Sequence, residues 1–244
     1  MQLTLITPYR NRLNHLTNQL AWWQQYSYRH LLEWIAIEVS SEPSTVLQKL
    51  LAAHGVSYLH LVCPGPFHKT KALNLGLQQA TGDLIAAFDV DLIPLGNSLA
   101  RHCQLALKYP DLLVTGYRLM AHTETVDLTR LESALEQATL GPEDQPTALR
   151  KHLLRGERFG VMPLFRRDRL LAFGGWDEAY IGWGAEDQDL IERYLTPEHM
   201  FCRSCDLIYL HLKHGPVAGW NCEALTANNR AHYYSAQQLR KSEL

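Results

Sequence analysis

No charge of either sign dominates this sequence: 23 Lys and Arg against 25 Asp and Glu leave a net charge of -2. That balance provides no electrostatic footprint for nucleic acid or for an anionic membrane surface. No window approaches the roughly 18 uninterrupted apolar residues that a membrane helix needs, so no integral membrane segment is expected. The stretch from Met1 to Pro8 has no basic segment followed by an apolar one, and a cytoplasmic location is the expectation. Cysteine is sparse and odd in number. Cys63, Cys103, Cys202, Cys205 and Cys222 are scattered, which fits reduced thiols better than a disulfide framework. There is no internal repeat and no low-complexity tract.

What is present is an alternation. Leu3 to Thr7 reads as a strand closed by Pro8, and Leu13, Leu16, Leu20 and Trp23 mark an amphipathic helix reaching about Tyr26. Leu31 to Val39 is a second strand, Ser44 to His54 a helix, Val56 to Val62 a third strand, and Lys69 to Ala80 a further helix. Strand and helix alternating in this way predict a doubly wound parallel sheet, in one α/β domain or a domain with a small subdomain. Gly76 lies inside the helix that starts at Lys69, where glycine costs about 1 kcal/mol relative to alanine. Close contact with a neighbouring strand is the expected return.

Leu84 to Phe88 is a short apolar strand that ends in Asp89-Val90-Asp91, followed by Leu92-Ile93-Pro94. Ligands of open α/β sheets bind beyond the C-terminal strand ends. Two acids there repel unless a cation or a proton relieves them, and a hard divalent metal does so; a solvated acidic turn is the alternative. Arg10 and Arg12, just past the first strand, suit a planar or anionic ligand or else serve as surface charge. Lys69 and Lys71 at a helix start can hold phosphate or face solvent. After a helix at Ser98 to Lys108 and an apolar run at Leu112 to Gly116, periodicity weakens through residues 117–150, a candidate inserted, mobile or acceptor-shaping segment.

A second dense region runs from Phe173 to Leu190. It holds several glycines, Trp176, Tyr180 and Trp183, then Glu186, Asp187 and Asp189 at a helix start. The acids suit the helix macrodipole, while Tyr180 and Trp183 offer flat faces of the kind sugar rings prefer. A carboxylate beside such a platform suits deprotonation of a sugar hydroxyl. Further on, Cys202, Cys205, His211 and His214 have a spacing too short for a ββα zinc finger. A histidine joining a metal at Asp91 is the favoured reading.

Five ordered motifs resemble the β-1,4-galactosyltransferase family and the related C-terminal domain of polypeptide N-acetylgalactosaminyltransferases, both GT-A glycosyltransferases. They are P-Y-R-N-R at 8–12, F-x-K-x-K-A-L-N-x-G at 67–76, F-D-V-D-L-I-P at 88–94, G-W-G-A-E-D at 182–187, and H-x-x-H at 211–214. The resemblance implies a Rossmann-like, mixed but mostly parallel sheet flanked by helices. Residues 1–116 would be the nucleotide-binding half, 117–158 a variable segment, and 159–244 the acceptor and catalytic half. It implies that Pro8, Arg10, Arg12, Lys69, Asp89, Val90 and Trp183 contact the donor, a UDP-sugar carrying galactose or N-acetylgalactosamine. Asp91, His214 and His211 would hold Mn²⁺ or Mg²⁺ against the diphosphate. Asp187 would be the general base toward a hydroxyl of a glycan or other acceptor, with Glu186 on the donor sugar and inversion at the anomeric carbon. His211 stands where the animal enzymes have a methionine ligand, Gln188 where they have a second acid, and Arg158 where they have a tyrosine. Two other readings of such a sheet are a nucleotidyltransferase, which would want glycines in the 8–12 loop, and a non-catalytic nucleotide-sugar binder.

Overall fold

Leu3–Tyr9 (β1) is buried along its whole length, as a strand must be when it has neighbours on both edges and helices on both faces. The structure is a computed structural model, and it describes residues 2–195, 199–215 and 222–242. After β1 the chain forms Leu13–Gln25 (α1), Leu32–Ser40 (β2), Thr45–Ala53 (α2), Ser57–Val62 (β3), Lys69–Gln79 (α3) and Leu84–Ala87 (β4). It continues through Leu92–Pro94 (β5), Ser98–Lys108 (α4), Leu112–Met120 (β6), Leu131–Gln137 (α5), Thr139–Leu140 (β7) and Pro146–Arg155 (α6). Phe165–Arg166 (β8), Arg167–Ala172 (α7), Glu186–Tyr194 (α8), Met200–His211 (β9) and Glu223–Ser242 (α9) complete it.

The first four strands pair in parallel, and β8 adds an antiparallel edge to give the order β3-β2-β1-β4-β8. A second, mixed sheet has the order β5-β9-β6-β7, with β9 parallel to β6 and antiparallel to β5. The fold is therefore α/β and mostly parallel, as expected, but divided between two sheets. The split falls at Phe88 to Asp91, where the chain leaves β4 in one sheet and enters β5 in the other.

Period-two alternation sends the side chains of the first sheet into two cores. Leu3, Leu5 and Trp34 pack with Trp22 and Trp23 of α1, while Ile6, Ile35 and Ile37 pack with Leu73 and Leu77 of α3 and Leu190 and Ile191 of α8. Gly76 behaves as anticipated: a Cβ there would lie 2.4 Å from Ile6 Cγ2 and 3.1 Å from Ile37 Cδ1. The strand predicted over Leu84 to Phe88 ends one residue early, and Phe88 turns into the aromatic cluster, 5.7 Å from both Trp22 and Trp34. Residues 117–150 are more ordered than their pattern suggests. They finish β6 and form α5, β7 and the start of α6, but α6 buries no residue, so no apolar stripe marked it.

Candidate active site

A cavity of about 740 Å³ opens where the two sheets diverge, and of the residues that the resemblance assigns to the site all but Arg10 line it. One wall belongs to Asp91. Gln19 of α1 donates to the carbonyls of Asp89 and Leu92, at 2.7 and 2.9 Å, and so fixes the turn. Antiparallel pairing sets Leu92 of β5 opposite His211 of β9, and Leu212 N–H donates to the Asp91 carbonyl at 2.8 Å. The two strands thus deliver both histidines to one aspartate: His211 Nε2 lies 3.6 Å from Asp91 Oδ1, and His214 Nε2 lies 3.4 Å from Oδ2. His15 contacts the Lys213 carbonyl at 3.0 Å and lies edge-on to His214.

Burial alone would raise the Asp91 carboxyl, but His211, Arg12, His214 and His15 outweigh it and hold it below the ordinary carboxylate range. Arg12, itself buried, makes an ion pair with Asp91 Oδ2. His214 is pushed down chiefly by burial, which favours the neutral imidazole that metals bind. One ligand atom from each of Asp91, His211 and His214 falls within 4.8 Å of the others. Asp91 Oδ1 and His211 Nδ1 are buried without a hydrogen-bond partner. Such orphaned groups are costly, and a carboxylate with two imidazoles is a fitting donor set for a first-row divalent ion. Cys202 and Cys205 stand apart from this cluster.

The facing wall is the loop before α8. Gly182, Gly184 and Ala185 have φ of 78°, 117° and 69°, so the backbone is left-handed just before Glu186 and Asp187. An alanine there is strained, the kind of cost that persists where surrounding structure fixes a functional turn. Lys69, at the first turn of α3, reaches across to Glu186 at 3.1 Å and to Asp187 and Asp89 at 3.3 Å each. Burial would lower Lys69, yet these three carboxylates hold it well above the usual lysine range, so it remains a cation. Asp187 is raised to about 6, by burial first and by Glu186 and Asp89 next, against the opposing pull of Lys69. A carboxylate that titrates near neutrality is suited to take a proton.

Two expectations are corrected, at Arg10 and at Tyr180. Arg10 does not face the cavity: its guanidinium donates to the carbonyls of Val39, Cys63 and Gly65 at 2.6 to 2.8 Å and lies over Phe67. It ties the C-terminal end of β2, at Val39, to the turn after β3, at Cys63 and Gly65. Tyr180 is not a sugar platform, since it is only 2% exposed; Trp183, 46% exposed, is the free face. Lys71 is exposed and outside the cavity, while Lys69 is engaged by acids. Asp189 is structural, bonded to Arg193 and Arg240 at 2.8 Å each.

The sequence reading missed a third wall. Glu157, nearly buried, pairs with His152 and accepts a 2.9 Å hydrogen bond from Tyr234 of α9. On the same helix Asn229 donates to the carbonyls of Ile181 and Trp183, at 3.0 and 3.1 Å. The available signal was a polar one: Asn229, Tyr233 and Gln237 recur every four residues and are buried. A search for apolar stripes passes over them.

Two sheets meeting at an acidic turn, with a metal-competent wall facing Glu186 and Asp187, match the architecture of the GT-A glycosyltransferases. The family model described as glycosyl transferase family 2 matches residues 10–170, and the chain belongs to that family. A second model, described as the N-terminal domain of galactosyltransferase, matches residues 149–215. The chain is 22% identical over 196 residues to mouse beta-1,4-galactosyltransferase 1, covering 79% of itself and 36% of that relative, so it spans about a third of the relative's length. Among solved structures it resembles GalNAc-T7 with UDP, GalNAc and Mn²⁺ (TM-score 0.64, 12% identity, 94% of this chain and 47% of that one). It also resembles the mannosyltransferase PcManGT from Pyrobaculum calidifontis in complex with GDP-Man and Mn²⁺ (TM-score 0.60, 18% identity, 90% and 58%). Among the described residues no helix is long and apolar enough to cross a membrane.

Proposed function

We propose that the protein is a metal-dependent, inverting glycosyltransferase that moves a hexose, galactose or N-acetylgalactosamine, from a UDP-sugar to an acceptor hydroxyl. The observation that carries this reading is one cavity with a ligand trio, Asp91, His211 and His214, on one wall and a base raised to about 6, Asp187, on another. Mn²⁺ or Mg²⁺ held by that trio would neutralise charge on the departing diphosphate. Likeness to structures containing Mn²⁺ supports the choice of metal.

The remaining chemistry is in the side chains. Asp187 accepts the proton of the acceptor hydroxyl as its oxygen bonds to the anomeric carbon. The bond from that carbon to the phosphate oxygen breaks on the opposite face, its electron pair leaving with UDP, so configuration inverts. Lys69 keeps Glu186, Asp187 and Asp89 together, and in this reading Glu186 contacts the donor sugar and Asp89 the ribose. Trp183 supplies the apolar face for a sugar ring. A screen of UDP-sugars and GDP-mannose for Mn²⁺-dependent binding and hydrolysis tests the reading. A UDP-hexose is expected to bind and turn over; binding without turnover against any acceptor favours a non-catalytic binder. Pyrophosphate release from UTP and a sugar phosphate favours a nucleotidyltransferase.

The raised Asp187 also sets a pH dependence. Only the carboxylate accepts a proton, so kcat/KM should be level above pH 7 and fall about tenfold per unit below about pH 6. A profile flat down to pH 4.5 would exclude Asp187 as the base.

A further inference from the structure

The third wall of the cavity carries positive charge that the reaction proposed above does not use. Lys151 and Arg155 lie one turn apart on α6, and Arg230 lies on α9; all three line the cavity and are exposed. Other cations of the cavity are engaged: Arg12 with Asp91, Lys69 with three acids, Arg118 with Glu143 at 2.8 Å. Among the described residues Lys151, Arg155 and Arg230 have no carboxylate within ion-pair distance. Arg155 and Arg230 come from elements far apart in sequence, and both act on the Tyr234 hydroxyl, lowering it against the larger upward effect of its bond to Glu157.

Their position points to the acceptor rather than the donor. Arg230 lies on α9, the helix whose Asn229 grips the carbonyls of Ile181 and Trp183, so it reaches the cavity from the helix that packs on the loop presenting Trp183 and Asp187. The donor diphosphate is assigned to the opposite wall, at Asp91. A neutral sugar would give three cations on one cavity nothing to neutralise, whereas a phosphate accepts several charge-assisted hydrogen bonds, bidentate ones from arginine above all.

Resting on that reading of the site, we propose that the acceptor bears a phosphate, seated on Lys151, Arg155 and Arg230 while its hydroxyl faces Asp187. The phosphate has two sources, a free sugar phosphate or the headgroup of a lipid-linked sugar. Leu153 and Leu154, each 78% exposed on the same helix, provide an apolar surface that only the second would use.

The test is binding to the enzyme saturated with UDP and Mn²⁺. N-acetylglucosamine 1-phosphate and 6-phosphate are compared with N-acetylglucosamine, and the octyl ester of the 1-phosphate is added as a third arm. At least one phosphorylated probe is expected to bind tenfold or more tightly than the neutral sugar. Arg155→Gln and Arg230→Gln should each remove about tenfold of that preference, Arg155→Lys should restore part of it, and UDP affinity should stay within twofold. Tighter binding of the octyl ester, reduced in Leu153→Ser, supports the lipid source; equal binding supports the free phosphate. Equal affinity for neutral and phosphorylated probes, or no binding of any phosphorylated probe, overturns the proposal. So does a loss of UDP affinity in the glutamine variants, which would return these cations to the donor. Failure of the wild type to bind UDP at all is read in the first titration, and it sinks the donor assignment before the acceptor arms begin.

Discussion

Asp91→Asn is expected to abolish metal-dependent turnover while the chain still folds, with a loss of Mn²⁺ affinity greater than about 100-fold. Substitutions that only touch a ligand from outside commonly cost 10- to 100-fold in metal affinity, and Asp91 would be the one anionic ligand in the trio with His211 and His214. The substitution also has a structural cost. Arg12 and Asp91 are both buried and ion-paired, and removing one partner of such a pair costs on the order of 3 kcal/mol. The two losses can be separated. Adding Arg12→Met removes the second charge, so the double variant should recover much of the melting temperature and none of the metal affinity. Titration of Mn²⁺ by electron paramagnetic resonance, with UDP present, measures the affinity directly. Metal binding at wild-type strength in Asp91→Asn would remove this wall from the mechanism.

The same aspartate shows how far the sequence could be read. Its i, i+2 spacing from Asp89 and its place after an apolar strand marked a site, and the motif order added His211 and His214 from the far end of the chain. What the spacing did not show is that the two acids belong to different environments. Asp91 is buried under β5 and β9, while the Asp89 side chain is 42% exposed and shares Lys69 with Glu186 and Asp187. That difference depends on the chain crossing from one sheet to the other between β4 and β5, a tertiary event with no local signature. Arg10 failed for a related reason. A basic residue past a strand end looks the same in sequence whether it meets a ligand or three backbone carbonyls, and only the approach of β2 and β3 decides. The first sheet was legible because buried parallel strands write themselves as apolar runs between helices. Helices α6 and α9 were not, since one buries nothing and the other flanks its buried Tyr233 with Asn229 and Gln237, buried residues that a hydrophobic pattern does not count.

Asp187→Asn is expected to lower kcat by about 10² to 10⁴, the range that a positioned general base contributes, with UDP-sugar affinity retained. If the interaction is made only in the transition state, kcat and kcat/KM should fall by the same factor. The variant should also be well folded. In the native protein the Asp187 carboxyl is raised to about 6 by burial, Glu186 and Asp89, so the fold favours its protonated form. Its contribution to stability is therefore present below about pH 4, where the unfolded carboxyl also protonates, and is lost as pH rises through about 6. At pH 7 the native protein bears the cost of that charge. Asparagine carries none, and a melting temperature at pH 7 no lower than that of the wild type is the corresponding result. Lys69 retains Glu186 and Asp89 as partners, so the substitution leaves its charge compensated. Residual turnover in the variant should lose the fall below pH 6 that belongs to the carboxylate. Wild-type rates in Asp187→Asn, or a loss confined to donor binding, would assign the proton transfer to another group and leave Asp187 as a partner of Lys69.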